Sequence, residues 1–268
     1  MACWGQALQT VDPRRVHAAT VNLQNFCTGG IHPKTKAGFV SYMWLEGGQG
    51  ARAYADGNSF YMMIFIGGAS NQPNETLERW YPMVYTSTEA VVDSCGDGEF
   101  RGGFGLWRSF RTTGDTELVV LGDRERVGPF GLAGGTNGGP NMVILNPGTD
   151  AEENLGMFTT KARLETGDQL EFGSNGGGGY GLPWKRKVQS VLDDVIDGLL
   201  SIDKARRVYG VAITEVDPDA LVYEVDDAET ERLRAALAGD DRPRGTGPFE
   251  VNPLGERLFA TPDELGAR

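Results

Sequence analysis

A chain of 268 residues is long enough to bury a core of its own, as one large domain or two small ones, so length alone demands no partner. A formal charge of -12 at pH 7 argues against a nucleic-acid partner, since such proteins carry a basic face that displaces counterions from phosphates. No apolar run approaches the roughly 20 residues that span a bilayer, and the start, MACWGQALQT, lacks the basic-then-apolar order of an export signal.

The glycine count of 39 is about twice the usual share of roughly 7%, and these glycines recur beside Asn, Asp and Pro. They read as tight turns between short strands. Three cysteines, Cys3, Cys27 and Cys95, form no CxxC pair, which suggests reduced, buried thiols in a cytoplasmic protein.

In chain order, residues 1–37 read as a helix cut short, with Trp4, Ala7 and Leu8 at helical spacing and no capping residue ahead, then a lead-in segment. Residues 38–182 form a β-rich domain. Apolar stretches at 39–45, 60–66, 83–85, 118–121 and 142–145 alternate with glycine clusters, the spacing of a sandwich or barrel-like pair of sheets. One short helix interrupts it, where Asn74, Glu75, Leu77, Glu78 and Trp80 follow Pro73 and stop at Pro82.

Residues 183–238 form a helical segment with short strands. Val188, Val191, Leu192, Val195, Ile196 and Leu199 make one apolar face, with Asp193, Asp194 and Asp197 turned outward. A second helix starts at Ser201 as N-cap and ends at Tyr209 and Gly210, the glycine suiting a left-handed C-terminal position. Strands at 211–213 and 221–223 and a charged helix at 227–238 follow. Residues 239–268, rich in Pro, Gly and charge, read as an extended tail that wraps a neighbour or stays mobile. The fold class is therefore α+β.

Several chemistries are missing. His17 and His32 have neither a second histidine nor a close carboxylate at ligand spacing, so no metal site of this chain alone is expected. GxxxxGK[ST] and GxSxG are both absent. Gly176, Gly177, Gly178 and Gly179 allow two readings: a turn between a strand ending at Phe172 and the helix at Val188, or a nest of N–H groups facing an anion or a carbonyl oxygen. Gly47, Gly48 and Gly50 read as a bulge or tight turn, or as a substrate loop in which Arg52 and Asp56 orient a polar ligand.

Six phrases, taken in order, resemble the B-type component of the hydantoinase, 5-oxoprolinase and acetone carboxylase superfamily: GGQGARAYADG (47–57), NQPNETLERWYP (71–82), DSCGDGEFRGGFG (93–105), GPFGLAGG (128–135), SNGGGGYG (174–181) and VLDDVIDGLLSIDKARRVYGV (191–211). The likeness spans residues 7–213. It implies one component of a multi-subunit, ATP-dependent enzyme that phosphorylates a lactam or imide oxygen before hydrolysis, or carboxylates a ketone enolate. An A-type ATP-binding subunit is the implied partner, with ATP and a divalent metal expected on partner subunits and none bound by this chain alone.

The resemblance further implies that the family's metal-binding histidines and acid lie upstream, so a separate polypeptide equivalent to the N-terminal half of the B-type component is expected; apart from that, the burial energy of Trp4, Ala7 and Leu8, about 1.5–3 kcal/mol each, predicts that a partner covers them. The family commonly carries an acid after GGGGYG, where this chain has Leu182. The positions that match the family's phrases, and stand as substrate or interface candidates, are Gly47, Gly48, Arg52, Asp56, Asn71, Glu75, Glu78, Arg101, Asp123, Arg124 and the four glycines 176–179. For Arg101 a structural ion pair stands beside catalysis. The leading expectation is a cyclic-amide hydrolase that forms part of the substrate chamber and the interface to the ATP-binding subunit. A ketone carboxylase component and a noncatalytic structural component are the alternatives.

Overall fold

The computed structural model describes residues 5, 7–22, 24–61, 72–217 and 220–239. Trp4, Cys3, Asn71, most of the expected strand at 60–66 and the tail at 240–268 lie outside the described residues. The architecture is mixed α and β, built on two antiparallel sheets. In the first, β2 (Gly38–Trp44), β1 (Gln24–Ile31), β5 (Thr116–Gly122) and β8 (Phe158–Leu164) lie side by side in that order. The second runs β3 (Met83–Ala90), β4 (Leu106–Thr112), β9 (Gln169–Gly173), β6 (Met142–Leu145) and β7 (Glu153–Asn154). Because β1 pairs with both β2 and β5, the sandwich already begins within the segment expected only as a lead-in.

Period-two alternation fixes which face of each strand turns inward. Ser41 and Met43 of β2, and Thr116, Leu118 and Val120 of β5, are buried while the residues between them face out. The inner faces meet around Phe26, Phe110 and Phe172, whose rings stack with centroids 4.3 Å (Phe26–Phe172), 5.7 Å (Phe26–Phe110) and 5.9 Å (Phe110–Phe172) apart. Each such ring contributes about 1.5–3 kcal/mol by leaving water. Helix α1 (Asn74–Trp80) closes one end by inserting Leu77 into this core, and its Glu78 accepts the Tyr85 N–H at 2.8 Å, which ties the helix to β3.

Glycines 176–179 do not form the expected turn. All four are buried, none has a left-handed backbone, and they run through the middle of a bundle of segments outside any helix. Three successive residues bond in three directions. Gly177 donates to Gly103 and accepts from Gly96; Gly178 donates to Ala19 and accepts from Ala51; Gly179 donates to Thr136 and accepts from Leu132, all at 2.7–3.0 Å. Gly47 and Gly48 belong to the same bundle and are likewise no turn, for Gly48 donates to Asn175 at 2.9 Å. A Cβ at Gly48 would lie 2.0 Å from the Gly103 oxygen, one at Gly176 2.0 Å from the Ser94 oxygen and one at Gly178 2.0 Å from the Phe130 oxygen. These residues are glycine because neighbouring backbones occupy the space of a side chain.

Beyond the bundle, α2 (Val188–Ile196), α3 (Ile202–Arg207), the hairpin β10 (Ile213–Asp217) and β11 (Val222–Val225), and α4 (Asp227–Ala238) enclose a second core of Val191, Val195, Leu200, Ala205, Tyr209, Val211 and Ile213. Ser201 caps α3 by accepting the Lys204 N–H at 3.1 Å, and Gly210 adopts φ +64° beyond its end, both as expected from the sequence. The two strands begin two and one residues later than the apolar runs suggested and end four and two residues later. No helix among the described residues is long and apolar enough to cross a membrane.

The bundle predicts a sharp contrast between glycines. Gly177→Ala places a methyl 2.0 Å from the Gln49 oxygen and is expected to cost about 3 kcal/mol or more, or to prevent folding. Gly38→Ala meets nothing within 4 Å and should stay within about 0.5 kcal/mol of the parent. Urea denaturation followed by circular dichroism measures both.

Candidate functional site

The helical unit is locked to the bundle by buried charges. Asp56 receives Arg186 in a two-point pair, Nη1 to Oδ1 at 2.7 Å and Nη2 to Oδ2 at 2.8 Å, and also accepts the Arg101 N–H at 2.9 Å. Arg186 Nη2 donates at 2.8 Å to Asp194 Oδ2 as well, and Arg101 grips the same carboxylate through Nε at 2.9 Å and Nη2 at 2.8 Å. Two guanidinium groups thus alternate with two carboxylates, so the charges cancel inside a region from which water is largely excluded. The Arg101 guanidinium also lies over the Phe104 ring, 4.5 Å from its centroid. Asp194, expected on the solvated face of its helix, is instead buried in this network. Only Asp56 keeps a third of its side chain exposed, where it lines a cavity of about 210 Å³ with Glu99, Phe100, Lys185, Lys187 and Ser190.

A second lock lies on α3. Lys204 Nζ donates to the carbonyls of Asp93 (2.7 Å) and Cys95 (3.2 Å) and pairs with Asp97 Oδ1 at 3.1 Å. Tyr209 donates to the same Asp97 oxygen at 2.8 Å, and Thr136 donates to the other at 3.2 Å. Together the two locks clamp the residues 93–104 loop between the helices and the glycine bundle.

Burial works against the charged form of Arg186, but its hydrogen bonds to Asp56 and the charges of Asp56 and Asp194 outweigh it and hold the guanidinium above its ordinary range. Arg101 is raised by Asp194 in the same way. Burial would likewise lower Lys204, yet the charges of Asp97, Cys95 and Asp93 raise it above 10.5. Burial pushes the Cys95 thiol from 9.0 up to about 12, with Lys204 pulling weakly the other way. Burial and the Asp97 charge hold the Tyr209 hydroxyl well above 10.0.

Of the positions singled out in the sequence, the fold brings Asp56, Arg101 and the glycine run together. Arg52 closes a turn through its N–H to the Ala55 carbonyl (2.9 Å), four residues before Asp56. Glu75 is exposed in the first turn of α1, and Glu78 serves the α1–β3 joint. Asp123 accepts from Asn22 through its side chain and from Asn141 Nδ2 through its carbonyl (2.7 Å), while Arg124, at φ +61°, reaches the Gly128 carbonyl. Those two sit at another edge of the bundle. Leu182 is packed toward Gly134, where its Cδ2 fills the room a Cβ would need, so this position has an apolar packing role. Arg186, Asp97, Lys204 and Tyr209 were not singled out. The sequence signals were the phrase at 93–105, which holds Asp97, and the phrase at 191–211, which holds Lys204 and Tyr209, whereas Arg186 lies in neither.

Among the described residues, the histidines and carboxylates are not arranged to hold a metal ion. His17 directs Nδ1 at the Ala18 carbonyl (2.7 Å), His32 Nδ1 accepts the Lys34 N–H (3.1 Å), and the described residues hold no group of three or more His, Cys, Asp or Glu placed for one. The N–H groups of Gly177, Gly178 and Gly179 are all taken by backbone carbonyls, so the glycine run offers no nest.

A family model described as hydantoinase B/oxoprolinase matches residues 1–183. The chain belongs to that family. It is 31% identical to the beta component of the caprolactamase of Pseudomonas jessenii over 86% of this chain and 40% of the relative. It is 29% identical to a putative B-type component of a D-/L-hydantoinase from a Pseudomonas species over 85% of this chain and 37% of the relative. The crystal structure of ATP-dependent caprolactamase from Pseudomonas jessenii superimposes on 86% of this hydantoinase B/oxoprolinase chain and 40% of the other, with TM-score 0.73 and 29% identity. A nucleotide-free acetone carboxylase structure, 23% identical with TM-score 0.72 over 84% of this chain and 34% of the other, shares the fold. The chain thus spans roughly two fifths of the length of its relatives or less.

The networks yield two predictions. Asp194→Asn leaves two buried guanidinium groups facing one carboxylate and is expected to cost about 3–5 kcal/mol, whereas Asp193→Asn on the exposed side of the same helix should change stability by less than about 0.5 kcal/mol. Chemical denaturation separates them. Cys95, Lys204 and Tyr209 all titrate higher folded than unfolded, so the stability they contribute is complete below pH 9 and is lost as pH rises from there toward 12. The thiol alone accounts for on the order of 4 kcal/mol of that loss. Melting temperature should therefore be flat in this cluster's contribution from pH 7 to 9 and fall above it, and Cys95→Ala should flatten the first part of the fall.

Proposed function

We propose that the chain is a subunit of a multi-component, ATP-dependent enzyme that hydrolyses cyclic amides, in which it forms part of the substrate chamber and of the interface to an ATP-binding subunit. The observation that carries this reading is the family match over residues 1–183 together with a caprolactamase component that aligns with 86% of the chain, since caprolactam is itself a cyclic amide. In this reading ATP and a divalent metal belong on partner subunits, as the family resemblance implies. The part of the B-type component that this chain does not span supplies the metal ligands. The free thiols of Cys27 and Cys95 support a reducing, cytoplasmic setting.

Within such an assembly the chain's own contribution is rigidity. The cavity at Asp56 and Lys187 is the exposed edge of the Arg101–Asp194–Arg186 network, and a wall held by paired charges and backbone bonds keeps its shape while partners move. Uncatalysed amide hydrolysis is slow because the carbonyl is a poor electrophile. Positioning is therefore worth most on a surface that does not yield.

The test is to tag the chain in its native host, purify it gently, identify co-eluting polypeptides by mass spectrometry, and measure ATP turnover with caprolactam, hydantoin and 5-oxoproline. The expected result is an assembly containing an ATP-binding subunit that turns over ATP with a cyclic amide and needs no bicarbonate. Turnover that requires a ketone and bicarbonate would move the reading to a carboxylase. A folded monomer without other subunits would overturn both.

A further inference from the structure

The two sheets differ in what covers their outer faces. On the second sheet, Trp107, Met142 and Ile144 are buried outside the sandwich core, with Val91 packed among them. The first sheet leaves Val40, Tyr42, Leu121 and Phe158 exposed on its outer face. Strand register aligns its outward residues in rows across the strands: Trp44, Asn25, Leu121 and Phe158 in one, Tyr42, Cys27 and Val119 in the next, and Val40, Gly29, Glu117 and Arg163 in the third. Two adjacent rows are thus largely apolar and the third ends in charge. Val40 and Phe158 are each 75% exposed, Tyr42 56% and Leu121 43%. Tyr42 is held ready, with its hydroxyl receiving the Asn25 amide at 2.6 Å and its ring edge-on to Trp44 at 5.7 Å.

Given strand and side-chain spacings, this band covers about 300 Å², the size at which the largest apolar patch of a soluble domain is often an interaction site. A stable interface needs about 800 Å² per partner, so the band is the anchor of a larger contact. A second copy is a poor occupant, because two chains of net charge -12 repel and the band alone is too small to offset that. The relatives point elsewhere: this chain spans 37% and 40% of their length, so most of each relative lies outside the segment described here.

We infer that the outer face of the β2-β1-β5-β8 sheet seats the remainder of the B-type component, through an apolar protein surface that receives Val40, Tyr42, Leu121 and Phe158 and is rimmed by Glu117 and Arg163. This rests on the reading of the chain as one part of a B-type assembly. The contact is anchored by aromatic and aliphatic side chains at its centre and kept in register by the charged row at its edge.

The test uses the full chain, tagged in its native host, with p-benzoylphenylalanine placed at Val40 or Phe158, and at Val222 on the distal hairpin as control. Irradiation should cross-link positions 40 and 158, but not 222, to a polypeptide segment that matches the part of the B-type relatives this chain does not span. The double variant Val40→Lys, Phe158→Glu, at the two most exposed positions of the band, should lower recovery of that segment by at least about ten-fold while its circular dichroism and melting temperature stay those of the parent. Co-purification of the same segment with cross-links only from 222, or with recovery unchanged in the double variant, overturns the docking face and leaves the proposed function standing. Cross-links to a second copy of this chain overturn it in favour of a dimer. Absence of any B-type segment from the purified material overturns both readings.

Discussion

The close approach of backbones around glycines 176–179 is the constraint on which the rest of the molecule depends. Each of Gly177, Gly178 and Gly179 uses both its N–H and its carbonyl on a different pair of neighbours, so the run is the axis about which the residues 18–21, 47–51, 96–103 and 130–136 segments are arranged. Such packing has no side chains to fill gaps and no ladder to propagate, and glycine surrenders more conformational freedom on ordering than any other residue. Its stability must come from satisfied backbone groups and from whatever holds the outside of the bundle in place.

That outside support is ionic on one flank and aromatic on the other. The Phe26, Phe110 and Phe172 stack fixes the sandwich from which β1, β4 and β9 lead into the bundle. On the opposite flank, the Asp56–Arg186–Asp194–Arg101 network and the Lys204–Asp97–Tyr209 group bind α2 and α3 to the residues 93–104 loop. Buried ion pairs are weak contributors to net stability, but a packing that separated these four groups would leave a buried charge unpaired. The cavity beside Asp56 takes its shape from this requirement.

Much of the fold was legible in the sequence because local physics decides it. The helix from Asn74 to Trp80, the N-cap at Ser201, the left-handed Gly210 and the charged helix from Asp227 to Ala238 follow from spacing and capping alone. The glycine run was misread as a turn because a turn and a side-chain-free channel require the same residue, and only the neighbours, more than a hundred positions away at Ala19 and Ala51, tell them apart. Asp194 was misread for a related reason. Helical periodicity assigns it to the polar side of α2, and nothing in that periodicity announces that this side faces Arg186, just ahead of the helix, and Arg101, 93 residues upstream. Of the site candidates, Asp56 and Arg101 were reached through the family's phrases, whereas Arg186 lies outside them and became visible only through the partners it pairs with.

The bundle also dictates an order of assembly. Its axis lies at residues 176–179, yet its walls come from as early as Ala18, so a growing polypeptide must emerge for well over a hundred residues before its first walls find their centre. Until then the glycine-rich walls have only water to bond to. The helical unit that follows has a largely local core around Val191, Tyr209 and Val211, and can gather as soon as it leaves the ribosome. A piece made after the axis is thus among the easiest to form, and by clamping the 93–104 loop it becomes the latch that closes over the slow, long-range centre made before it.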